Sequence, residues 1–360
     1  MRVALVLATS TGGVGRHVHS LTGALVRAGH QVAVLGPAAT EELFGFTAVG
    51  ASFAPVQIAS GPRPVADARA AGRLRRLVRG ADVVHAHGLR AGLISALAVA
   101  GRRTPLVVSW HNQVLATGLR ARVAAPLERV VARSADVTLG ASADLVDRVR
   151  SLGGQDVRLG AVAAPALEPP ARTAAATRAE LGIGAAPVVL AVGRLHPQKG
   201  YDVLVRAAAH LLDREPAPVV LVAGDGPLRD ELTGQIDAVG APVRLLGRRS
   251  DVAELLAVAD LVVLPSRWEA RSLTAQEAMR AGRPLVTTTV GGLPGLVGDA
   301  AVLVPPDDVA ALATAVRELL DDPVEAARLG ELGRALAAGW PTEADTAAQI
   351  AAVYAELVSS

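Results

Sequence analysis

Two successive series of short apolar runs, each run separated from the next by a turn and an amphipathic stretch, constrain what this 360-residue chain can become. The first series reads Val3 to Ala8, Gln31 to Leu35, Asp82 to His85, Leu106 to Ser109 and Asp136 to Leu139. The second reads Val188 to Val192, Val219 to Ala223, Val243 to Leu245, Leu261 to Leu264, Leu285 to Thr288 and Ala301 to Val304. Between several of them lie stretches of helical period such as His17 to Ala28 and Ala121 to Arg133. Strand alternating with helix predicts parallel sheets covered on both faces, because each crossover lays its helix against the sheet. Two series predict two Rossmann-like α/β domains, and the length exceeds what one core usually organises.

The boundaries follow from local breaks. An amino-terminal domain is expected over 1–165 and a linker over 166–178, where Ala163 to Thr177 is rich in Ala and Pro and includes Pro169-Pro170. A second domain is expected over 179–338. After Gly339-Trp340-Pro341, residues 339–360 form a last helix expected to pack back on the first domain. Ligands of open parallel sheets bind at the carboxyl ends of the strands, so the expected site is a cleft between the two sheets.

Composition removes several function classes. Without cysteine there is no disulfide framework, thiolate chemistry or cysteine-ligated zinc, which fits a reducing, cytoplasmic compartment. The first nine residues run into a glycine turn and read as a buried strand rather than a leader, and no run reaches the roughly 18 apolar residues of a membrane span. Formal charge is +10 over residues 1–165 and −8 over the rest. A basic first half suits an anionic partner, but only eight aromatic residues exist and none interleaves with the arginines, so nucleic acid is not expected. An anionic membrane surface or an acidic acceptor fits better. Arg63, Arg69, Arg73, Arg75, Arg76 and Arg79, with Arg120, Arg122, Arg129 and Arg133, are the candidate contacts.

Lys199 is the single lysine among 36 basic residues. It follows a predicted strand in Gly193-Arg194-Leu195-His196-Pro197-Gln198-Lys199-Gly200. An ammonium is a compact point charge and a guanidinium a planar fork, so Arg194 and Lys199 together suit a diphosphate; a lysine left in a surface turn is the alternative. After the first strand, Gly12-Gly13-Val14-Gly15 opens a helix. Its backbone N–H groups suit an anion or a sugar, or it is a tight turn with no ligand; with Val18 where a third glycine would stand, it is no dinucleotide fingerprint. Downstream, Glu269 lies on a predicted loop, and Ser272 reads as the N-cap of a helix carrying Glu277 on its second turn. Two such carboxylates accept hydrogen bonds from sugar and ribose hydroxyls, or belong to a solvated surface.

The whole chain resembles the family 4 glycosyltransferases. Several elements occur in order: Gly12-Gly13, Asp82-Val83-Val84-His85-Ala86-His87, His111 after a strand, Gly193-Arg194 to Lys199-Gly200, Gly224-Asp225-Gly226-Pro227, the pair Glu269 and Glu277, and Gly291-Gly292. The resemblance implies a GT-B fold, two Rossmann-like parallel-sheet domains facing an interdomain cleft, and retaining transfer from a nucleotide-diphosphate sugar, UDP- or GDP-linked. It implies that Arg194 and Lys199 bind the diphosphate, Glu277 the ribose and Glu269 the transferred sugar. Gly12 and Gly13 would then lie beside the diphosphate, His111 near donor sugar and acceptor, and Gly247 and Arg248 at the base, with Ser272 and Leu273 at the phosphate-facing helix start. His85 and His87 are read as structural. The chain departs from the family where Glu269-Ala270-Arg271-Ser272 replaces a glycine-rich sequence, at Gly295, and at Ala163-Ala164-Pro165-Ala166. No two aspartates stand two apart, so no metal and no cofactor are expected, the cations taking a metal's role. The acceptor is open, lipid-linked acceptors in cell-envelope synthesis among the candidates, with the enzyme peripheral at the inner membrane face. Two rivals remain: a non-catalytic GT-B subunit that binds nucleotide sugars, and a nucleotide-sugar epimerase of the same fold.

Overall fold

The structure, a computed structural model, describes residues 1–113, 118–160 and 162–359, with the side chains of 118–124 outside the description. It comprises two compact units, Met1–Pro165 with Pro341–Ser360, and Ala166–Trp340. In the first unit, β1 (Arg2–Leu7), β2 (Gln31–Gly36), β3 (Ser52–Pro55), β4 (Val83–His87), β5 (Leu106–Trp110), β6 (Val137–Gly140) and β7 (Val157–Leu159) make one parallel sheet in the order β3-β2-β1-β4-β5-β6-β7. In the second, β8 (Val188–Val192), β9 (Val219–Ala223), β10 (Val243–Gly247), β11 (Leu261–Leu264), β12 (Leu285–Thr288) and β13 (Val302–Val304) pair in parallel in the order β10-β9-β8-β11-β12-β13. Each sheet grows outward from its first strand and then returns to that strand's other side. The junctions β1/β4 and β8/β11 are therefore switch points, where loops leaving the carboxyl ends diverge and open a crevice.

Side-chain alternation explains why both faces must be covered. Val188, Leu190 and Val192 join one apolar cluster with Leu221, Val262 and Leu264, while Val189 and Ala191 join another with Val220, Val222 and Val263. A strand apolar on both faces is stable only between two helical layers. In the first unit, Val18, Leu21 and Leu25 of the helix Gly13–Arg27 pack on Val3, Leu5 and Leu7. The helix Glu343–Ser359 completes this core with Ala347, Ile350, Val353 and Tyr354. Burying Ile350 and Val353 contributes about 1.5–3 kcal/mol each, so the first unit depends on the chain's last helix.

Three aspartates set where strands begin. Asp82, Asp136 and Asp260 each follow an alanine and precede an apolar run, and each carboxylate accepts the first N–H of a neighbouring strand: Arg2, Leu106 and Val188, all at 2.7 Å. Asp82 and Asp136, expected inside strands, thus stand just before them, because their side chains bond a neighbour's terminal donor that would otherwise lack a partner. Other expectations also shift. Strands β3 and β7 lack a long apolar run because they are sheet edges with mostly part-exposed residues. The helix Ala174–Leu181 begins inside the stretch read as linker, capped by Thr173, whose hydroxyl accepts the Ala176 N–H at 3.2 Å. Among the described residues, no helix is long and apolar enough to cross a membrane.

Candidate functional site

In the second unit, β8 and β11 are adjacent at the switch point, and the loops that leave their carboxyl ends carry Lys199 and Glu269. Lys199 Nζ lies 2.5 Å from Glu269 Oε1, which also accepts the Ser266 hydroxyl at 2.9 Å. The two side chains are 21% and 11% exposed, so the contact is partly shielded from water and stronger than a surface pair. The loops are sewn together on either side of it. Arg267 donates its N–H to Gln198 O at 2.8 Å and Nη1 to Pro197 O at 2.6 Å, while Gln198 Nε2 donates to Trp268 O at 2.8 Å. The Arg267 guanidinium also grips Asp202 with both Nη atoms, at 2.9 and 2.7 Å, and Asp307 with Nε at 2.7 Å. A planar fork held at this many points fixes the backbone that carries Lys199.

Glu269 is braced from behind. Gly292 N–H donates to Glu269 O at 2.9 Å, and Gly291, at φ +52°, stands so close that a Cβ there would meet Glu269 O at 2.0 Å. Only glycine fits both that conformation and that gap. The loop after β8 is pressed equally closely against β9: Gly193 N–H bonds Ala223 O at 2.9 Å, and a Cβ on Gly224 would meet Gly193 O at 1.8 Å. Gly224 N–H in turn bonds Gly247 O at 2.8 Å, which ties in the carboxyl end of β10. Arg194 is exposed and, among the described residues, enters no ion pair. His196, whose ring accepts the Gln198 N–H at 3.4 Å, is held below the usual histidine range by burial and then by the Arg194 and Lys199 charges. Burial, with the Glu269 charge adding to it, pushes up the pKa of the Tyr201 hydroxyl. The loop thus carries two cations, Arg194 and Lys199, of which Lys199 is paired with Glu269.

The helix Leu273–Arg280 starts beside this pair. Ser272 caps it, its hydroxyl accepting the Ala275 N–H at 3.3 Å, and Thr274 Oγ1 donates to Val192 O at 3.3 Å, fixing the helix start to the end of β8. Leu273 is the first helical residue, and Glu277 on the second turn is buried, 4% exposed. The first N–H groups of a helix carry partial positive charge, so a phosphate at this end is favoured. Where the chain departs from the family pattern, Ala270 is buried and the Arg271 guanidinium lies 5.7 Å from the centre of the Trp340 ring. Arg248 follows β10 and is exposed with no ion pair among the described residues, whereas the adjacent Arg249 is held by Asp251 and Glu180.

The remaining expected residues lie in the first unit. Gly12 is the N-cap of the helix Gly13–Arg27, and both Gly12 and Gly13 are exposed. A Cβ on Gly12 would meet nothing within 4 Å, whereas one on Gly15 would strike the Phe44 ring at 2.1 Å. The protein's own packing demands glycine at 15 but not at 12. His111, immediately after β5, is buried and lies with Nε2 3.2 Å from His87 Nδ1. His85 is engaged at both nitrogens, Nδ1 with Tyr354 Oη at 2.6 Å and Nε2 with Ser109 Oγ at 2.8 Å, a structural link to the last helix. Burial lowers His17 to about 4 and His85 to about 3, and drives His87 and His111 well below the usual range, so all four rings are neutral near pH 7.

Sequence reasoning missed Ser266, Arg267, Gln198 and Tyr201 beside Lys199 and Glu269, and it missed the grouping of His17 with His87 and His111. Of the arginines put forward for an anionic surface, Arg75 is engaged by Ala98 O and Ala100 O, at 2.9 and 2.8 Å, and is not free for such a role. The side chains of Arg120 and Arg122 lie outside the described residues.

Comparison with known proteins adds a consistent picture. The family model described as glycosyl transferase 4-like domain matches residues 12–165, and that of glycosyl transferases group 1 matches residues 186–322. The glycogen synthase of Mycobacterium tuberculosis is 32% identical over 381 aligned positions, covering 94% of this chain and 90% of its own. The D-inositol 3-phosphate glycosyltransferase 1 of Catenulispora acidiphila is 35% identical, covering 76% of this chain and 72% of its own. Among solved structures, Anabaena Alr3699/HepE in complex with UDP and glucose superposes with a TM-score of 0.84 at 21% identity, covering 99% of each chain.

Proposed function

Because the chain belongs to the group 1 glycosyltransferases, has the GT-B fold and draws on a nucleotide-sugar donor, we propose that it transfers the sugar with retention to a hydroxyl acceptor, without metal at the diphosphate. The observation that carries this reading is the Lys199–Glu269 contact at the β8/β11 switch point, between Arg194 and the capped start of the helix Leu273–Arg280. As the glycosidic bond breaks, negative charge grows on the departing diphosphate. Lys199 and Arg194 then interact with it more strongly than with the bound donor, which is what lowers a barrier. Fixed backbone dipoles at the helix start act in the same sense. In a retaining transfer the acceptor attacks on the face the diphosphate leaves, and the departing phosphate takes the acceptor's proton. No protein nucleophile is then required.

Glu269, held by Lys199 and Ser266, is the contact to the transferred sugar, and Glu277 the contact to ribose. Arg248 and Gly247 border the base. In the first unit, Gly12 and Gly13 leave room for the donor, and His111 serves the sugar and the acceptor as a neutral hydrogen-bonding group. The UDP and glucose of the Anabaena relative make UDP-glucose the first donor to test. A cytoplasmic enzyme that adsorbs to anionic lipid through its arginine-rich helix Pro64–Leu77 fits a lipid-linked acceptor.

Calorimetry with a nucleoside diphosphate and with its sugar tests the division of labour. Glu277→Gln is expected to weaken both ligands, and Glu269→Gln to weaken the sugar nucleotide while sparing the plain nucleotide. Equal losses in the two variants, or no binding of any nucleotide by the wild type, would overturn the assignment. Sugar isomerisation without acceptor would point to an epimerase instead.

A further inference from the structure

We infer that His17, His87 and His111 form a site for one divalent transition-metal ion of the zinc or cobalt type, bound through one ring nitrogen of each. The three imidazoles come from three adjacent elements of the first unit: His17 from the helix that follows β1, His87 from the last position of β4, and His111 from the position after β5. One nitrogen of each lies within 4.8 Å of the others, and the residues are only 4%, 2% and 9% exposed.

The geometry suits an ion at the centre. Ring centroids lie 5.7 Å apart for His17 and His87, 5.2 Å for His17 and His111, and 5.5 Å for His87 and His111. Three imidazoles on a tetrahedral or trigonal ion, with metal–nitrogen bonds of about 2.0–2.1 Å, place their ring centres about 5.2–5.5 Å apart. The same bonds put ligand nitrogens about 3.3–3.5 Å apart, close to the 3.2 Å between His87 Nδ1 and His111 Nε2. Among the described residues, none of the three rings is hydrogen-bonded to a carboxylate. Neutral imidazole is the form that ligates. Three of them with a water or alcohol oxygen complete a tetrahedral set that selects zinc or cobalt over magnesium or calcium, which prefer oxygen. His85 is excluded as a ligand because Tyr354 and Ser109 occupy both its nitrogens, but its ring, 4.2 Å from that of His87, buttresses the site. The absence of paired aspartates says nothing about such a site, since imidazoles alone build it.

The test is metal uptake by the full chain after stripping with a chelator, measured without donor and so separable from transfer. Cobalt(II) is expected to bind at one equivalent with the intense visible absorption of a tetrahedral ion, and zinc to displace it. His87→Gln and His111→Gln are expected to weaken uptake at least 10-fold, whereas His210→Gln, at an exposed position of the second unit, leaves it unchanged. Should a variant fail to fold, nitrogen-15 NMR of the wild-type histidines decides: zinc is expected to shift the signals of three of the eight. No saturable uptake, or uptake that survives loss of both His87 and His111, overturns the proposal.

Discussion

Replacing Lys199 with arginine separates charge from shape. In the protein, Lys199 Nζ sits 2.5 Å from one oxygen of Glu269, a carboxylate whose side chain is 11% exposed. Arginine keeps the charge and still pairs with Glu269, so folding stability is expected to change by less than about 0.5 kcal/mol. Turnover is a different matter. Removing one contact to a developing oxyanion commonly costs about 2.7–4 kcal/mol, and a guanidinium that keeps the charge but misplaces it is expected to lose about half. At 1.36 kcal/mol per tenfold, that is a loss of about 10- to 30-fold in kcat. Lys199→Ala removes the whole contact and is expected to cost about 100- to 1000-fold. It also leaves Glu269 with the Ser266 hydroxyl and no cation. Breaking a fully buried pair costs about 3–5 kcal/mol, but this pair is partly solvated, so about 1–2 kcal/mol of stability is expected to go. Initial rates of donor cleavage at saturating nucleotide sugar, alongside thermal denaturation, measure both quantities. A Lys199→Arg enzyme with wild-type kcat would show that the ammonium's position is immaterial and would refute the reasoning.

Gly291→Ala forces a methyl group against Glu269 O and an unfavourable φ of +52°, so it is expected to lower stability by about 1–3 kcal/mol and to weaken the sugar nucleotide more than the plain nucleotide. Equal affinities in mutant and wild type would show that Gly291 does not hold Glu269 in place. Arg69, Arg73, Arg76 and Arg79 are exposed and in no ion pair among the described residues, so the first unit is expected to adsorb to anionic but not neutral liposomes at low salt. At about 1 kcal/mol per arginine near the surface, their replacement by glutamine should abolish adsorption, and equal partitioning onto both liposome types would remove the membrane reading.

What the sequence carried, and what it did not, follows from the range of each interaction. Strands β8, β9 and β11 read correctly to the residue because each is a contiguous apolar run, whose pattern is local. The edge strands β3 and β7 are defined by a neighbour on one side only, and their own residues, half of them polar or exposed, do not declare it. Lys199 stood out because lysine is otherwise absent. Arg267, which fixes the backbone beneath it through Asp202, Asp307 and Pro197, is one of 35 arginines and has no compositional signal at all. The glycines divide in the same way: Gly291-Gly292 stood out as an element of the family resemblance, but that Gly291 braces Glu269 depends on two loops meeting. The histidines make the point most sharply. His85 and His87 share one face of β4 by the strand's period of two, yet one is tied to the last helix and the other faces His17 and His111. That difference is set by the order β1-β4-β5, which places residues 17, 87 and 111 side by side. Strand order is a property of the packed chain, so a cluster that depends on it has no signature in any window of sequence, whereas a charge that follows one strand in a single loop does.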